Sequence, residues 1–590
     1  MNDEATKAQQ VEAPTSSGAV VQSPLQTVLG EFASAVTAAL AEAAAAKVVE
    51  RIWNRDASLW KDDPSHQKII ANSLGWLTVP TQMQAVADEL ASFAAEVSAS
   101  GDFSHVMVCG MGGSSLCPEV LRQTFGRQQG FPELLVLDST DPDTINNFKQ
   151  HIDVSKCLFI VASKSGTTTE PIAFHRFWYS EVARTTDTPG NAFVTITDPG
   201  SQMADTAAAE GFGRIFLNQS DIGGRYSALS YFGMVPAALM GVDVAQLLQR
   251  TQSMTEACGA SVQVDANPAA ILGAVMAECA RAGRDKLTIV TDEKLSALGL
   301  WIEQLIAEST GKEGKGIIPV MGESLAAPSA YGDDRLFVSI SVGPIAADTR
   351  AKLKSLEAAG HPVVYRSLAD VYDLGAEFFL WELATAFAGW RLGIDPFDQP
   401  NVQESKDATR ALLDEFKRDG KLQEQTPLAN DGPLTVFGND EGANSNSVSE
   451  VLSAYFKQIT DSDYVALLAY IEETAETESE LQAIRELIRD ATRCATMVGY
   501  GPRFLHSTGQ LHKGGPDSGV FIQITAPDKV DFPVPEAPYS FSVLKDAQAL
   551  GDFQSLQSHG RRALRVDLGN DVLVGLQRLR ETIEGILPSG

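Results

Sequence analysis

The sequence predicts an α/β fold, two tandem αβα sandwiches with mainly parallel sheets and flanking helices, on three observations. Short, continuously apolar runs alternate with segments of helical length, the pattern of parallel strands covered on both faces. Several of these runs end in glycine, hydroxyl or acidic residues, which is the end of a parallel sheet where ligands bind. The alternation also recurs after a junction near Ala257 to Asn267, and 590 residues exceed what one core normally organises.

Taken in order, residues 1–22 are rich in Ala, Ser, Gln, Pro and Val without a usable period and are expected to form a disordered tail. Residues 23–260 are assigned to the first sandwich with its N-terminal helices, and residues 261–590 to the second with C-terminal helical segments. Apolar residues at helical spacing (Val28, Phe32, Val36, Leu40) predict an amphipathic helix from Leu25 to about Ile52, and a second covers Thr81 to Val97. Strands are expected at Val106–Cys109, Leu134–Leu137, Cys157–Ala162 and Ala192–Ile196. In the second half they fall at Leu287–Val290, Leu336–Val342 and Pro362–Tyr365, with one more at Val520–Ile524. The Asn/Gly-rich stretch Gln423 to Asn446 reads as a long surface loop.

Composition excludes several functions. No apolar run approaches the roughly 20 residues of a membrane span, and the N-terminal residues lack a basic segment followed by an apolar one, so a cytoplasmic protein is expected. Six scattered cysteines without CxxC spacing read as buried thiols rather than as disulfides or a zinc site. A net charge of −30 argues against nucleic acid as a partner and requires any anion site to be locally positive. The histidines show no ligand spacing, so no metal site is expected, and the Asn218-Gln219-Ser220 sequon is read as a chance match.

The chemistry begins at Ser163-Lys164-Ser165-Gly166-Thr167-Thr168-Thr169, directly after the apolar run Cys157 to Ala162. Hydroxyls, one ammonium and backbone N–H groups at a helix start suit a phosphate dianion. The bland alternative is a Ser/Thr turn capping a helix. Gly110-Met111-Gly112-Gly113-Ser114-Ser115 also follows a strand, but Ser115 occupies the last position of a GxGxxG fingerprint, so a nicotinamide cofactor is poorly supported. Its glycines allow close backbone approach to a ligand.

These two motifs, together with Gly223-Gly224-Arg225-Tyr226-Ser227, Glu308-Ser309-Thr310-Gly311-Lys312 and Phe397-Asp398-Gln399-Pro400, resemble the phosphoglucose isomerase family, built from two sugar isomerase (SIS) domains. The resemblance covers roughly residues 25 to 585 and is nearest to the isomerase half of bacterial transaldolase/phosphoglucose isomerase fusion proteins. The transaldolase half is expected to be absent. The resemblance implies that Gly113, Ser114, Ser163, Lys164, Ser165 and Thr168 hold a sugar phosphate and that Gln399 binds its hydroxyls. It implies Glu308 as the base, Arg225 beside C1 and C2, and Lys406 near the ring oxygen. Asn401 stands where the family usually has glycine.

The ring-opening histidine is placed by resemblance in Ser507-Thr508-Gly509-Gln510-Leu511-His512, with His512 preferred and His506 as the alternative. In the family this histidine crosses from a neighbouring subunit, which implies a homodimer with shared active sites. Read alone, Lys164 and Lys406 are also compatible with solvated surface lysines, Arg225 with a helix bridge and Glu308 with a solvent-facing helix end. The expected activity is interconversion of glucose 6-phosphate and fructose 6-phosphate in glycolysis and gluconeogenesis, without a cofactor, through a cis-enediolate. The rivals are a non-catalytic SIS sugar-phosphate sensor and an isomerase that also takes mannose 6-phosphate.

Overall fold

The computed structural model describes residues 25–438 and 447–587. The expected disordered tail lies outside the described residues, as does the end of the Gln423–Asn446 loop. A short strand β1 (Gln26–Val28) comes first, followed by β2 (His105–Cys109), β3 (Glu133–Leu137), β4 (Cys157–Ala162), β5 (Phe193–Thr197) and β6 (Arg214–Leu217). Strands β2 to β6 form an all-parallel sheet in the order β3-β2-β4-β5-β6. The chain runs from β2 outward to β3, then returns to lay β4 on the other side of β2. The carboxyl ends of β2 and β4 therefore flank a topological switch point, the usual crevice for a ligand in such sheets.

The second sheet contains β7 (Lys286–Thr291), β8 (Ile318–Val320), β9 (Arg335–Val342) and β10 (Val363–Leu368), in the order β1-β10-β9-β7-β8. All its pairs are parallel except β1 with β10. Helix Leu374–Leu392 packs against helices Val244–Ala257 and Pro268–Arg281 and is apolar nearly all round, in keeping with its burial on nearly every side.

The C-terminal third departs from expectation. In place of helical segments with a single strand, it folds around a sheet of its own with six strands. These are β11 (Ala429–Asp431), β12 (Leu434–Phe437), β13 (Tyr464–Tyr470), β14 (Ala495–Tyr500), β15 (Gly519–Thr525) and β16 (Arg562–Asp567), in the order β11-β12-β16-β15-β13-β14. The Tyr464–Tyr470 run is continuously buried, the mark of a central parallel strand. Short strands β11 and β12 lie inside the segment read as a loop.

The N-terminal segment also differs. Leu25 to Ile52 is broken into β1, a 3-10 turn and helices Ala33–Ala45 and Val48–Trp53, because Lys47 adopts a left-handed φ of 54° that ends the helical run. The expected second helix is present as Val79–Ser100.

One apolar cluster joins a face of the first sheet (Val106, Ile160) to the second (Leu287, Val338). The other face of the first sheet packs on helix Phe541–Ser558 through Leu544 and Leu550. A further cluster joins β8 to β13 through Ile318, Val320, Tyr464 and Ala466. The third sheet thus rests on both others and carries its loops to the mouth of the first. Among the described residues no helix is long and apolar enough to cross a membrane.

Candidate active site

The cavity at the switch point encloses about 450 Å³. After β2, the glycine loop brings Gly113 and Ser114 to its wall; after β4, the cradle brings Ser163, Lys164, Ser165 and Thr168. The loop is built for close contact. A Cβ on Gly113 would lie 1.9 Å from the Gly224 carbonyl oxygen, and one on Gly112, whose φ is +54°, would meet the Gln304 amide and the His506 carbonyl oxygen. The absence of these two side chains lets the Gly223–Arg225 turn and the Arg503–His506 turn close onto the cavity.

Within the cradle, Ser163 Oγ accepts from the Gly166 N–H at 3.2 Å, and the Ser165 and Thr167 hydroxyls pair at 2.9 Å. Lys164 Nζ donates to the Ser220 carbonyl and pairs with Asp198 at 2.8 Å, so its ammonium, still partly exposed, is tethered at the rim. Thr168 is the N-cap of helix Thr169–Val182 but makes no side-chain capping bond, leaving its hydroxyl uncommitted to the helix end.

Arg225 is fully buried and every one of its guanidinium nitrogens is engaged. Nε donates to Ser309 Oγ at 2.8 Å, and Nη1 donates to Glu308 Oε2 at 3.2 Å and Gln399 Oε1 at 2.9 Å. Nη2 donates to the carbonyls of Pro396 and Asp398 at 2.7 and 2.9 Å. The planar fork therefore ties helix Leu298–Thr310 to the Pro396–Gln399 turn. Lys312 Nζ reinforces that turn through Asp398 Oδ1 at 2.7 Å; burial pushes this ammonium down to about 8.

Glu308 lies in the last turn of its helix, 7 % exposed. Burial raises its carboxyl above the ordinary value of 4.5, while Arg225, His506 and Lys312 oppose the shift. Facing it across the cavity are Lys406, on helix Pro400–Asp419, and His506. Lys406 has no hydrogen bond or ion pair among the described residues. Asn401 occupies an ordinary helical position, clamped by Gln510, whose Oε1 accepts its N–H at 2.9 Å and whose Nε2 donates to its side chain at 2.8 Å.

His506 Nε2 lies 2.9 Å from Glu170 Oε1, which also accepts from Gln548 Nε2 at 2.7 Å. Burial pushes the Glu170 carboxyl up, but His506 and Lys406 outweigh it and the group sits below its usual range. An ionised Glu170 can only accept, so His506 Nε2 carries the hydrogen and Nδ1 is the remaining ring nitrogen.

His512, the preferred histidine of the sequence reading, is elsewhere. It is 2 % exposed among Tyr464, Phe504 and Phe521, with neither ring nitrogen hydrogen-bonded, and burial holds it well below its ordinary value. The helix Gly509–Gly514 that carries it turns that face onto β13 and β15. His506 reaches the cavity from the same chain as Glu308 and Arg225. Apart from His512, all the expected site residues line this one cavity.

Sequence reasoning missed Glu170, Gln304 and Gln548. Glu170 sits next to the cradle and was legible as a first-turn acid of the helix, but its partners lie more than 300 residues away. Gln304, one turn before Glu308, donates to the His506 carbonyl at 2.8 Å; its helical spacing from Glu308 was the available signal.

This cavity, at the switch point of a parallel α/β sheet, defines a small-molecule site with a buried carboxylate beside a fixed guanidinium, a second carboxylate (Asp198) spent on Lys164, and a hydroxyl cradle. The fold is shared with a hypothetical protein of Thermus thermophilus, at a TM-score of 0.56 and 24% identity over 66% of this chain and 99% of that one. Residues 68–331 match the family model of phosphoglucose isomerase. A glucose-6-phosphate isomerase of Cyanothece sp. is 27% identical over 413 residues, 60% of this chain and 77% of its own. A probable glucose-6-phosphate isomerase of Methanococcus maripaludis is 25% identical over 360 residues, 55% of this chain and 81% of its own.

Proposed function

We propose that this protein is an aldose–ketose isomerase interconverting glucose 6-phosphate and fructose 6-phosphate. The observation that carries the proposal is the convergence, in one cavity, of a buried Glu308 carboxyl, the fully anchored Arg225 and the Ser163–Thr168 cradle. The family match over residues 68–331 and the relatives named above support the same reading.

The cradle takes the 6-phosphate, spreading its charge over neutral donors with Lys164 at the rim. Holding the remote phosphate fixes the reacting carbons against the carboxylate. His506, held by Glu170, delivers a proton to the ring oxygen as the ring opens, with Lys406 beside it. Glu308 then removes the proton from C2 and returns it to C1 on the same face, one carboxylate serving as base and acid. Arg225 stabilises the negative charge that gathers on the enediolate oxygens. Its five hydrogen bonds hold it in place beforehand, so little reorganisation is needed at the moment of reaction.

A sugar-phosphate sensor needs the cradle but has no use for a buried carboxyl with a raised affinity for protons. We place the reaction in the cytoplasm, which the six buried, unpaired cysteines support. The homodimer implied by the family belongs to the proposal as a statement about assembly only, checked by sedimentation equilibrium. The deciding experiment is a coupled isomerase assay on the wild type and Glu308→Gln, with fructose 6-phosphate binding measured in parallel. The variant should bind but lose about 10²–10⁴-fold in kcat. Equal, negligible rates in both proteins with binding retained would remove the enzymatic reading.

A further inference from the structure

A cavity larger than the sugar-phosphate site lies elsewhere in the fold. A cleft of about 810 Å³ lies between the first and third sheets, and an inner chamber of about 220 Å³ shares with it Gln123, Glu473, Glu478, Tyr500 and Arg503. At these volumes the cleft has the capacity of a ligand pocket. Glu303 lines the inner chamber at 7 % exposure, and among the described residues its carboxyl has no hydrogen-bond partner or ion pair within bonding distance. Unlike the enclosed Glu382 carboxyl, the Glu303 oxygens keep solvent contact in this chamber, where an arriving donor can reach them.

The walls say which ligand suits it. Glu119, Asp138, Glu472, Glu473 and Glu478 line the outer cleft against two arginines, Arg122 and Arg503. Both arginines are spent on these same acids: Arg122 on Glu119, and Arg503 on Asp138 and Glu473. The inner chamber adds Arg485, whose nitrogens are occupied by Thr496, Gln482 and the Met321 carbonyl. Negative charge is thus in excess, and no donor of the lining serves Glu303. The compact groups of potential metal ligands among the described residues do not include these carboxylates, so they are spread too widely to converge on a single ion.

From this cleft we infer a second ligand site, for an extended organic polycation of the polyamine type, with one ammonium on Glu303 and the others along Glu473 and Glu478. The turn that supplies Arg503 to the cleft wall ends at His506 in the sugar-phosphate cavity, so the two sites share a wall.

Binding also has a proton signature. Burial pushes the Glu303 carboxyl up to about 8, with Arg485 and Arg503 pulling against it. Near neutral pH it is largely protonated, so an arriving ammonium that ionises it releases a proton to solvent.

The test is isothermal titration of the full chain with spermidine in two buffers of different ionisation enthalpy, at physiological salt. The salt suppresses loose association with a chain of net charge −30. Saturable one-to-one binding is expected, with proton release that Glu303→Gln abolishes and affinity that falls about tenfold or more. Glu473→Gln, at the solvent-exposed end, should weaken binding without removing the proton release, and it guards against a folding defect at the buried position. Absence of saturation at millimolar amine, or binding that both variants leave unchanged, overturns the inference.

Discussion

His506 Nε2 lies 2.9 Å from Glu170 Oε1, joining the turn after β14 to the first turn of the helix that follows the hydroxyl cradle. The pair spans two sheets, with His506 lining the sugar-phosphate cavity and Glu170 behind it, and the carboxylate fixes which ring nitrogen carries the hydrogen.

Replacing Glu170 by Gln removes that control. A hydrogen bond to a charged group contributes about 1.5–3 kcal/mol, so ring opening should slow by about 10- to 150-fold. Anomer exchange followed by NMR should fall more than exchange of the C2 proton in the open-chain sugar. Equal losses in both would mean that Glu170 only supports the fold.

The two histidines are separable. His506→Gln should reduce kcat by about 10²-fold or more, as expected for loss of a general acid. His512→Phe, placed among aromatic rings, should leave kcat within about twofold, since nothing near that ring faces substrate. Steady-state assays of the two variants check both outcomes.

Acid stability should depend on His512. Its folded form is held neutral well below the ordinary value of 6.5, whereas the unfolded chain takes up a proton near that value. The unfolded state therefore gains protons first, and stability should fall as pH drops below about 6.5. His361, pushed down to about 4 by burial, acts with the same sign. Urea unfolding at two pH values should show a smaller acid loss for His512→Phe than for the wild type.

Glu308 must be ionised to act as a base, and burial raises its carboxyl above 4.5. Activity should therefore rise with pH along an acid limb that lies above that of an exposed glutamate. The profile of kcat/KM against pH reports this limb for the free enzyme, and Arg225→Lys should move it as well as lowering kcat by about 10²-fold or more.

Gly113→Ala should be damaging out of proportion to its size. The added methyl meets the Gly224 carbonyl oxygen at 1.9 Å, and relief requires the Gly223–Arg225 turn to move. A loss of about 1–3 kcal/mol of stability is expected, together with reduced kcat as Arg225 shifts. Thermal melting and the isomerase assay measure the two effects.

Much of this arrangement was legible in the chain. Buried parallel strands such as Cys157–Ala162 are continuous apolar runs, and the sheet built from them places its loops by rule. The motifs that line the cavity are short and local. The third sheet was less visible because β11, β12 and β16 are short or half-polar; β13 did carry a signal, a continuous apolar run after the turn cluster Thr460–Asp463, that sequence reasoning missed. The choice between His506 and His512 could not be made from spacing. They lie only six positions apart, and which one faces the cavity depends on how the Arg503–His506 turn packs against Gly112, a contact across nearly 400 residues.

The third sheet has a consequence for mixtures of defective chains. Where a site is shared across a subunit boundary, two inactive variants can lend each other an intact half, and mixing them restores part of the rate. Here Glu308 and His506 enter the same cavity from one polypeptide. Co-expressed Glu308→Gln and His506→Gln chains should stay silent together, and a crippled copy should leave the turnover of an intact one untouched. Each polypeptide would then stand or fall alone in the cell, a form of genetic independence built by folding the C-terminal third back over the first sheet.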